Sequence, residues 1–353
     1  MKFKKFFTVI CIIVIALTGC RKEQADHIAI FYNDYNEYSD SLKMKIEKRF
    51  SQTKNMKTVS YNAKLKQEIQ TNQIKEEIRQ GARLIAVDAV NNNSAETVTN
   101  IVNMAKNADV SLVFFDRYVD CKLLDDFHKA VYIGWDESGI GKVQGGMIAE
   151  YLLTNYDMFD MNGDGTISYA MFISENDLRS MEDYEKQCIE EADRVLAEKG
   201  KPALNYYNGN LNRNYFSVVE SENNFEDAYN QMKTTLETYK NEKMIELIIA
   251  SNDGMALGAI KALREVGYNS ENAEKFIPVF GVGATNDAKN AIYANVMTGT
   301  VVRNTDRMSM VFKQVSENIL KGKNSFDGVD KEIINRKNCI LIPYEVYYGK
   351  KNI

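Results

Sequence analysis

Proline is scarce, at 3 residues in 353, and no long Pro- or Ser-rich stretch marks a linker. Histidine is scarcer: His27 and His128 lie far apart, without the spacing of a zinc site. The five cysteines show no CxxC pair, so cluster-binding and dithiol redox motifs are absent. No basic domain or stripe offsets the excess of 49 acidic over 44 basic residues, which excludes the usual electrostatic footprint of a nucleic-acid binder. Enzyme signatures are missing too. Residues 134–142 contain Gly-Lys, but Asp136 stands where a phosphate loop needs glycine and Val143 follows Lys142. Nothing in the sequence supports Ser-His-Asp chemistry, and the chain reads as a non-enzyme. What is present is ordinary globular material, 44% hydrophobic and 26% charged, in a length that suggests about two domains.

The first 19 residues stand apart. Lys2, Lys4 and Lys5 precede a 12-residue apolar run over 6–17, too short to span a bilayer comfortably. The run ends in Leu17-Thr18-Gly19-Cys20 and is followed by polar residues, the pattern of a bacterial lipoprotein signal with Cys20 as the lipidated first mature residue. Removing the three lysines with the leader takes the formal charge from -5 to -8. No other apolar run is long enough to cross a membrane. Cys11 leaves with the leader, so Cys121, Cys188 and Cys339 remain. They read as unpaired, mostly buried thiols, with one disulfide among them as the alternative.

Downstream, short β-type runs alternate with helical periodicity. Strands are predicted at 28–32, 84–88, 112–116, 130–134, 167–173, 247–250, 279–282 and 299–302, mostly as continuous apolar runs suited to a parallel sheet covered on both faces. Helices are predicted at 39–53, 65–80, 95–106, 138–153, 181–199, 225–239, 255–266, 285–294 and 306–320. This alternation argues for an α/β fold with parallel sheets.

One Asp-rich loop breaks the rhythm. Asp160, Asn162 and Asp164 stand at positions 1, 3 and 5 of a calcium loop, Gly165 at the sharp turn, Thr166 at the backbone-carbonyl position and Ser168 at position 9. Position 12 is Met171 rather than a bidentate Glu, and the loop runs into a strand pattern instead of a helix.

A calcium loop entering a strand midway through an exported α/β chain resembles the bacterial galactose/glucose-binding proteins, the type I periplasmic binding proteins that deliver sugar to ABC transporters. Other segments carry the same resemblance in order. They include Val113-Phe114-Phe115-Asp116, Tyr132-Ile133-Gly134-Trp135-Asp136, Ile249-Ala250-Ser251-Asn252-Asp253, Pro278-Val279-Phe280-Gly281-Val282 and Gly299-Thr300-Val301.

The resemblance implies two doubly wound parallel-sheet lobes joined by three short crossings. Lobe one would comprise 26–134 and 305–333, and lobe two 135–304 and 334–353, after a signal at 1–19 and a tether at 20–25. It further implies sugar contacts at Asn252, Asn304 and Asp116, with Asn36 and Tyr38 near the N-terminus and Phe216 (or Tyr215) as a stacking ring. Calcium would sit on Asp160, Asn162, Asp164, Thr166 and Ser168, weakly, because the completing acid of the family should fall near Leu204 or Asn205.

Departures accompany these matches. The second-lobe His, Asp and Arg positions become Leu178, Ser180 and Tyr184, an Asp becomes Gly283, and the only Trp, Trp135, lies away from the family's second-lobe Trp. The expectation is a monomeric, lipid-anchored protein on the outer face of the cell membrane. It would bind a carbohydrate, galactose- or glucose-like or altered, and hand it to an ABC permease. The alternative is a sugar sensor coupled to a membrane histidine kinase.

Overall fold

The computed structural model describes residues 25–174, 181–209, 214–218, 224–238, 245–270 and 275–349. The chain begins with β1 (Asp26–Tyr32), α1 (Glu37–Ser51), β2 (Met56–Asn62), α2 (Gln67–Arg79) and β3 (Leu84–Val87). It continues through α3 (Ala95–Asn107), β4 (Ser111–Asp116) and β5 (Ala130–Trp135). A first crossing leads to α4 (Ile140–Leu153), α5 (Tyr156–Phe159), β6 (Ser168–Ser174), α6 (Met181–Glu198), β7 (Asn205–Tyr206) and β8 (Phe216–Val218). Then come α7 (Asn224–Thr238), β9 (Leu247–Ala250), α8 (Asp253–Glu265), β10 (Val279–Val282), α9 (Asn286–Tyr293) and β11 (Gly299–Val302). A second crossing returns the chain to α10 (Thr305–Leu320), β12 (Ile334–Arg336) and β13 (Cys339–Ile342), and a third delivers β14 (Glu345–Tyr347).

Two mostly parallel sheets result, in the orders β12-β13-β5-β4-β3-β1-β2 and β14-β11-β10-β9-β6-β7, with β8 also pairing β6. This is the expected pair of doubly wound lobes. All eight predicted strands form. The strands that sequence periodicity missed are short or half-buried, such as β2, where every residue but one is of intermediate exposure and no continuous apolar run exists.

The first sheet is covered on both faces. Ile46, Phe50 and Phe312 from α1 and α10 pack on one side, and Ile74, Val98 and Ile101 from α2 and α3 on the other. In α1 the buried positions are Ser39, Leu42, Ile46 and Phe50, a stripe of helical spacing. In the second lobe α4 lies so close to α6 that a Cβ on Gly145 would stand 2.1 Å from the Cys188 carbonyl oxygen, so glycine is what permits this packing.

Two expectations need correction. Residues 334–342, assigned to the second lobe, form β12 and β13 of the first sheet, where Cys339–Ile342 runs parallel to β5, and only β14 joins the second sheet. The apolar Cys-Ile-Leu-Ile run completes that sheet beside β5. The reading of three free thiols also fails. Cys121 and Cys339 are disulfide-bonded with Cα atoms 6.0 Å apart, and Cys188 alone is free and buried.

Candidate functional site

The carboxyl ends of parallel strands are where α/β sheets present ligand-binding groups. At that edge of the first sheet stand Tyr32 closing β1, Asp88 after β3, Asp116 closing β4 and Trp135 closing β5. Asp116 adopts a left-handed backbone conformation, φ +65°, which is uncommon for a non-glycine residue and is found among residues held for function. Its Oδ1 accepts from the Tyr38 hydroxyl and from Trp135 Nε1, each at 2.7 Å, and the indole also lies 3.1 Å from the Tyr38 oxygen. Burial, then the nearby Asp116 charge, pushes the Tyr38 hydroxyl well above its ordinary pKa.

All three crossings meet this cluster. Trp135 opens the first. Arg303 in the second lies 5.7 Å from the Tyr38 ring centroid and 5.8 Å from that of Tyr344, which belongs to the third. Arg303 Nε donates to the Tyr344 hydroxyl at 3.0 Å. Beside Asp116, Asp88 is 2% exposed, and burial followed by the Asp116 charge drives its carboxyl well above the usual range. Arg117 donates to the carbonyls of Ala89 and Val90 at 3.1 and 2.9 Å and so holds the loop that follows Asp88. Across the cleft, Glu37 Oε1 accepts the Asn286 backbone N–H at 3.1 Å and links the starts of α1 and α9.

The residues singled out from sequence divide. Tyr38 and Asp116 come together in the cluster. Asn36 is the N-cap of α1 in a capping box with Ser39, a local structural role that engages its side-chain oxygen. Asn304 caps α10 and donates to Glu345 Oε2 at 2.6 Å, tying the second crossing to the third. Asn252 caps α8 from the carboxyl end of β9. Phe216 lies on β8 with its ring 5.1 Å from Phe172 and 5.8 Å from Tyr207, in an aromatic cluster of the second lobe.

Tyr184 is buried in the second-lobe interior and donates its hydroxyl to Gln144. Gly283 has φ +133°, and a Cβ there would lie 3.1 Å from Asp253 Oδ2, so its backbone disfavours the family's Asp. Leu178, Ser180 and the lipidation candidate Cys20 fall outside the described residues. Sequence reading overlooked Asp88 and Arg303. Arg303 directly precedes the Asn304 that the family resemblance pointed to, and Asp88 follows a strand whose carboxyl terminus could have pointed to it.

The Asp-rich loop is closed by its own side chains. Asp160 Oδ2 accepts from Gly165 N at 2.9 Å, Asn162 Oδ1 from Asp164 N at 2.8 Å, and Asp164 Oδ1 from Thr166 N at 2.8 Å. The acid sought near Leu204 or Asn205 stands elsewhere. Asn205 contacts Thr166 Oγ1 through its amide, while Glu246, 0% exposed, lies against the loop. Glu246 accepts from the backbone N–H groups of Asn162 and Ser168 at 3.0 and 2.9 Å, and burial raises its carboxyl pKa. Asp160 Oδ1 is buried without a hydrogen-bond partner. These oxygens are hard donors of the kind calcium selects. Among the described residues no three acid, His or Cys side chains are already gathered as a metal cluster, since Glu246 is turned onto the backbone.

A family model described as a periplasmic binding protein domain matches residues 28–324. The D-galactose/methyl-galactoside binding periplasmic protein MglB of Haemophilus influenzae is 27% identical over 325 residues, covering 90% of this chain and 87% of that protein. Among solved structures, an ABC transporter solute binding protein from Bacillus halodurans with bound myo-inositol superposes with a TM-score of 0.60 at 17% identity, covering 92% and 95% of the two chains. A Clostridium phytofermentans solute binding protein with bound β-D-glucose gives a TM-score of 0.60 at 15% identity, covering 91% and 93%. At those identities the structures share the fold.

Proposed function

The chain belongs to the periplasmic binding protein family, a family of binding proteins rather than enzymes, and from that premise we propose that it captures a sugar in the interlobe cleft for an ABC permease. The observation that carries this reading is the cluster of Tyr38, Asp116, Trp135 and Arg303 where the strand ends and the crossings converge. Aromatic faces beside a carboxylate and a guanidinium suit a ring with hydroxyls at its rim and C–H faces above and below. The crossings are the positions at which lobes of this kind hinge about a ligand. The MglB relative is named for galactoside binding, and the likeness covers most of both chains.

The cargo differs from glucose or galactose, because Tyr184 is turned into the core and Gly283 carries no acid. Secretion with lipidation at Cys20 would hold the protein at the outer face of the cytoplasmic membrane beside its permease. Asp160, Asn162, Asp164, the Thr166 carbonyl and Ser168 would hold calcium together with Glu246. The cation would brace the loop against the start of β9, a structural role.

A thermal-shift screen of sugars tests the proposal. A ligand present at 100 times its Kd stabilises by about 2.7 kcal/mol, enough for a clear rise in melting temperature. A shift with one sugar, lost in Asp116→Ala, supports capture in this cleft. No shift across hexoses, pentoses and cyclitols would overturn it.

A further inference from the structure

The cleft floor holds more hydrogen-bonding capacity than the protein uses. Asp88 accepts from Asn33 N at 3.3 Å through Oδ2, while its Oδ1 is buried without a partner. The Tyr32 hydroxyl at the end of β1 is likewise buried and unpartnered. Arg303 carries five N–H donors on a planar fork, and the Tyr344 hydroxyl takes one of them. Among the described residues no carboxylate forms an ion pair with it, although Asp88 and Asp116 both lie within its electrostatic reach. The flanking Tyr38 and Tyr344 rings hold the guanidinium in place.

A buried acceptor without a donor and a guanidinium with most of its donors unused are both costly. A hydroxyl satisfies both at once, donating to the first and accepting from the second. Charge narrows the class further. Arg303 lies over the Tyr38 ring, whose hydroxyl is bonded to the Asp116 carboxylate, so the guanidinium already has an acid nearby and needs no anionic ligand. All three Asn side chains expected to grip sugar, Asn36, Asn252 and Asn304, use their oxygens as helix caps.

We propose that Asp88 and Arg303 are the specificity-determining contacts of the cleft, gripping adjacent hydroxyls of a neutral sugar or polyol, with Asp88 accepting and Arg303 donating. The assignment rests on the reading of the cleft as the sugar site.

Calorimetric titration of the mature protein tests it, with D-glucose, D-galactose, D-allose, D-ribose, L-arabinose and myo-inositol as neutral probes and D-galacturonate and D-gluconate as anionic ones. At least one neutral probe should bind. Asp88→Asn and Arg303→Gln should each weaken it tenfold or more, with Arg303→Lys intermediate because one ammonium cannot reproduce the fork. Melting curves establish that each variant is folded, and Arg303→Lys replaces Arg303→Gln if the latter is not. If the neutral probe binds and every variant stays within twofold of the parent, the assignment of Asp88 and Arg303 falls while the sugar site stands. If only the sugar acids bind and Arg303→Gln abolishes it, the neutral class is overturned. If no probe binds the parent protein, the sugar reading fails and the assignment with it.

Discussion

Breaking the bond between Cys121 and Cys339 should loosen the first lobe about as much as a large-to-small core substitution. The two residues are 218 apart in sequence, and closing so long a loop in the unfolded chain gives an entropic contribution near 5 kcal/mol on the loop-length relation. Measured contributions are usually smaller, so about 2–5 kcal/mol is expected. For a lobe-sized domain that corresponds to a fall of roughly 5–20 °C in melting temperature. The structural reason is local. Cys339 starts β13, the strand that closes the sheet beside β5 and then leads directly into the crossing that carries Tyr344 to Arg303. The assay compares thermal melts of protein lacking residues 1–20 with and without reductant, alongside the Cys121→Ala/Cys339→Ala pair. Thiol titration in denaturant without reductant should find one thiol, that of Cys188. Three thiols, or coincident melts of the oxidised and reduced protein, would refute the reasoning.

Further outcomes follow from the buried carboxylates and the leader. With Glu246 against the loop, calcium should bind more tightly than the ~10⁻⁴–10⁻³ M class of weak extracellular sites, raise the melting temperature over that in chelator, and do neither in Asp160→Ala or Glu246→Gln. Identical melts in calcium and chelator would show that the loop works without metal. Asp88 has a folded-state pKa raised by burial and by Asp116, so its favourable contribution is full below the unfolded value and is lost as pH rises through the folded one. Asp88→Asn should therefore stabilise the ligand-free protein at neutral pH and flatten the pH dependence of its melting on the acid side, and a neutral-pH melt below the parent's would count against that. Cys20→Ser should abolish labelling by a fatty-acid analogue and release the protein from the membrane fraction, whereas unchanged labelling would rule out the lipid anchor.

What could be read from the chain follows from how local each signal is. Continuous apolar runs such as Leu84–Val87 and Leu247–Ala250 become fully buried strands because both sheet faces are covered, and that pattern is written in consecutive residues. Asp116 was legible through the family resemblance of the Val113-Phe114-Phe115-Asp116 segment, and the fold places it where a buried strand ends at the ligand edge. Asn304 and Arg303 show the limit. At a strand-to-helix junction one position caps the helix while its neighbour turns to the strand-end cluster, and the resemblance pointed to Asn304, the cap, and not to Arg303 beside it. Glu246 was invisible for a different reason. It stands next to the Asp160 loop only because β9 pairs with β6 in parallel, bringing together segments separated by 84 positions between Asn162 and Glu246. The pairing of Cys121 with Cys339 likewise depends on the return of the chain through the second crossing, which no local pattern records.

The central claim, sugar capture between the lobes at the Asp116 cluster, can be tested through the protein's own reporter. Trp135 is the sole tryptophan, and its indole N–H is bonded to Asp116 within the cleft. Its emission should therefore change saturably on titration with the sugar that binds, and the response should weaken by about tenfold or more in Asp116→Ala, where the acceptor is gone. A saturable change with a neutral sugar, lost in that variant, is the predicted result. Emission indifferent to every sugar, or a response that survives Asp116→Ala unchanged, would contradict it.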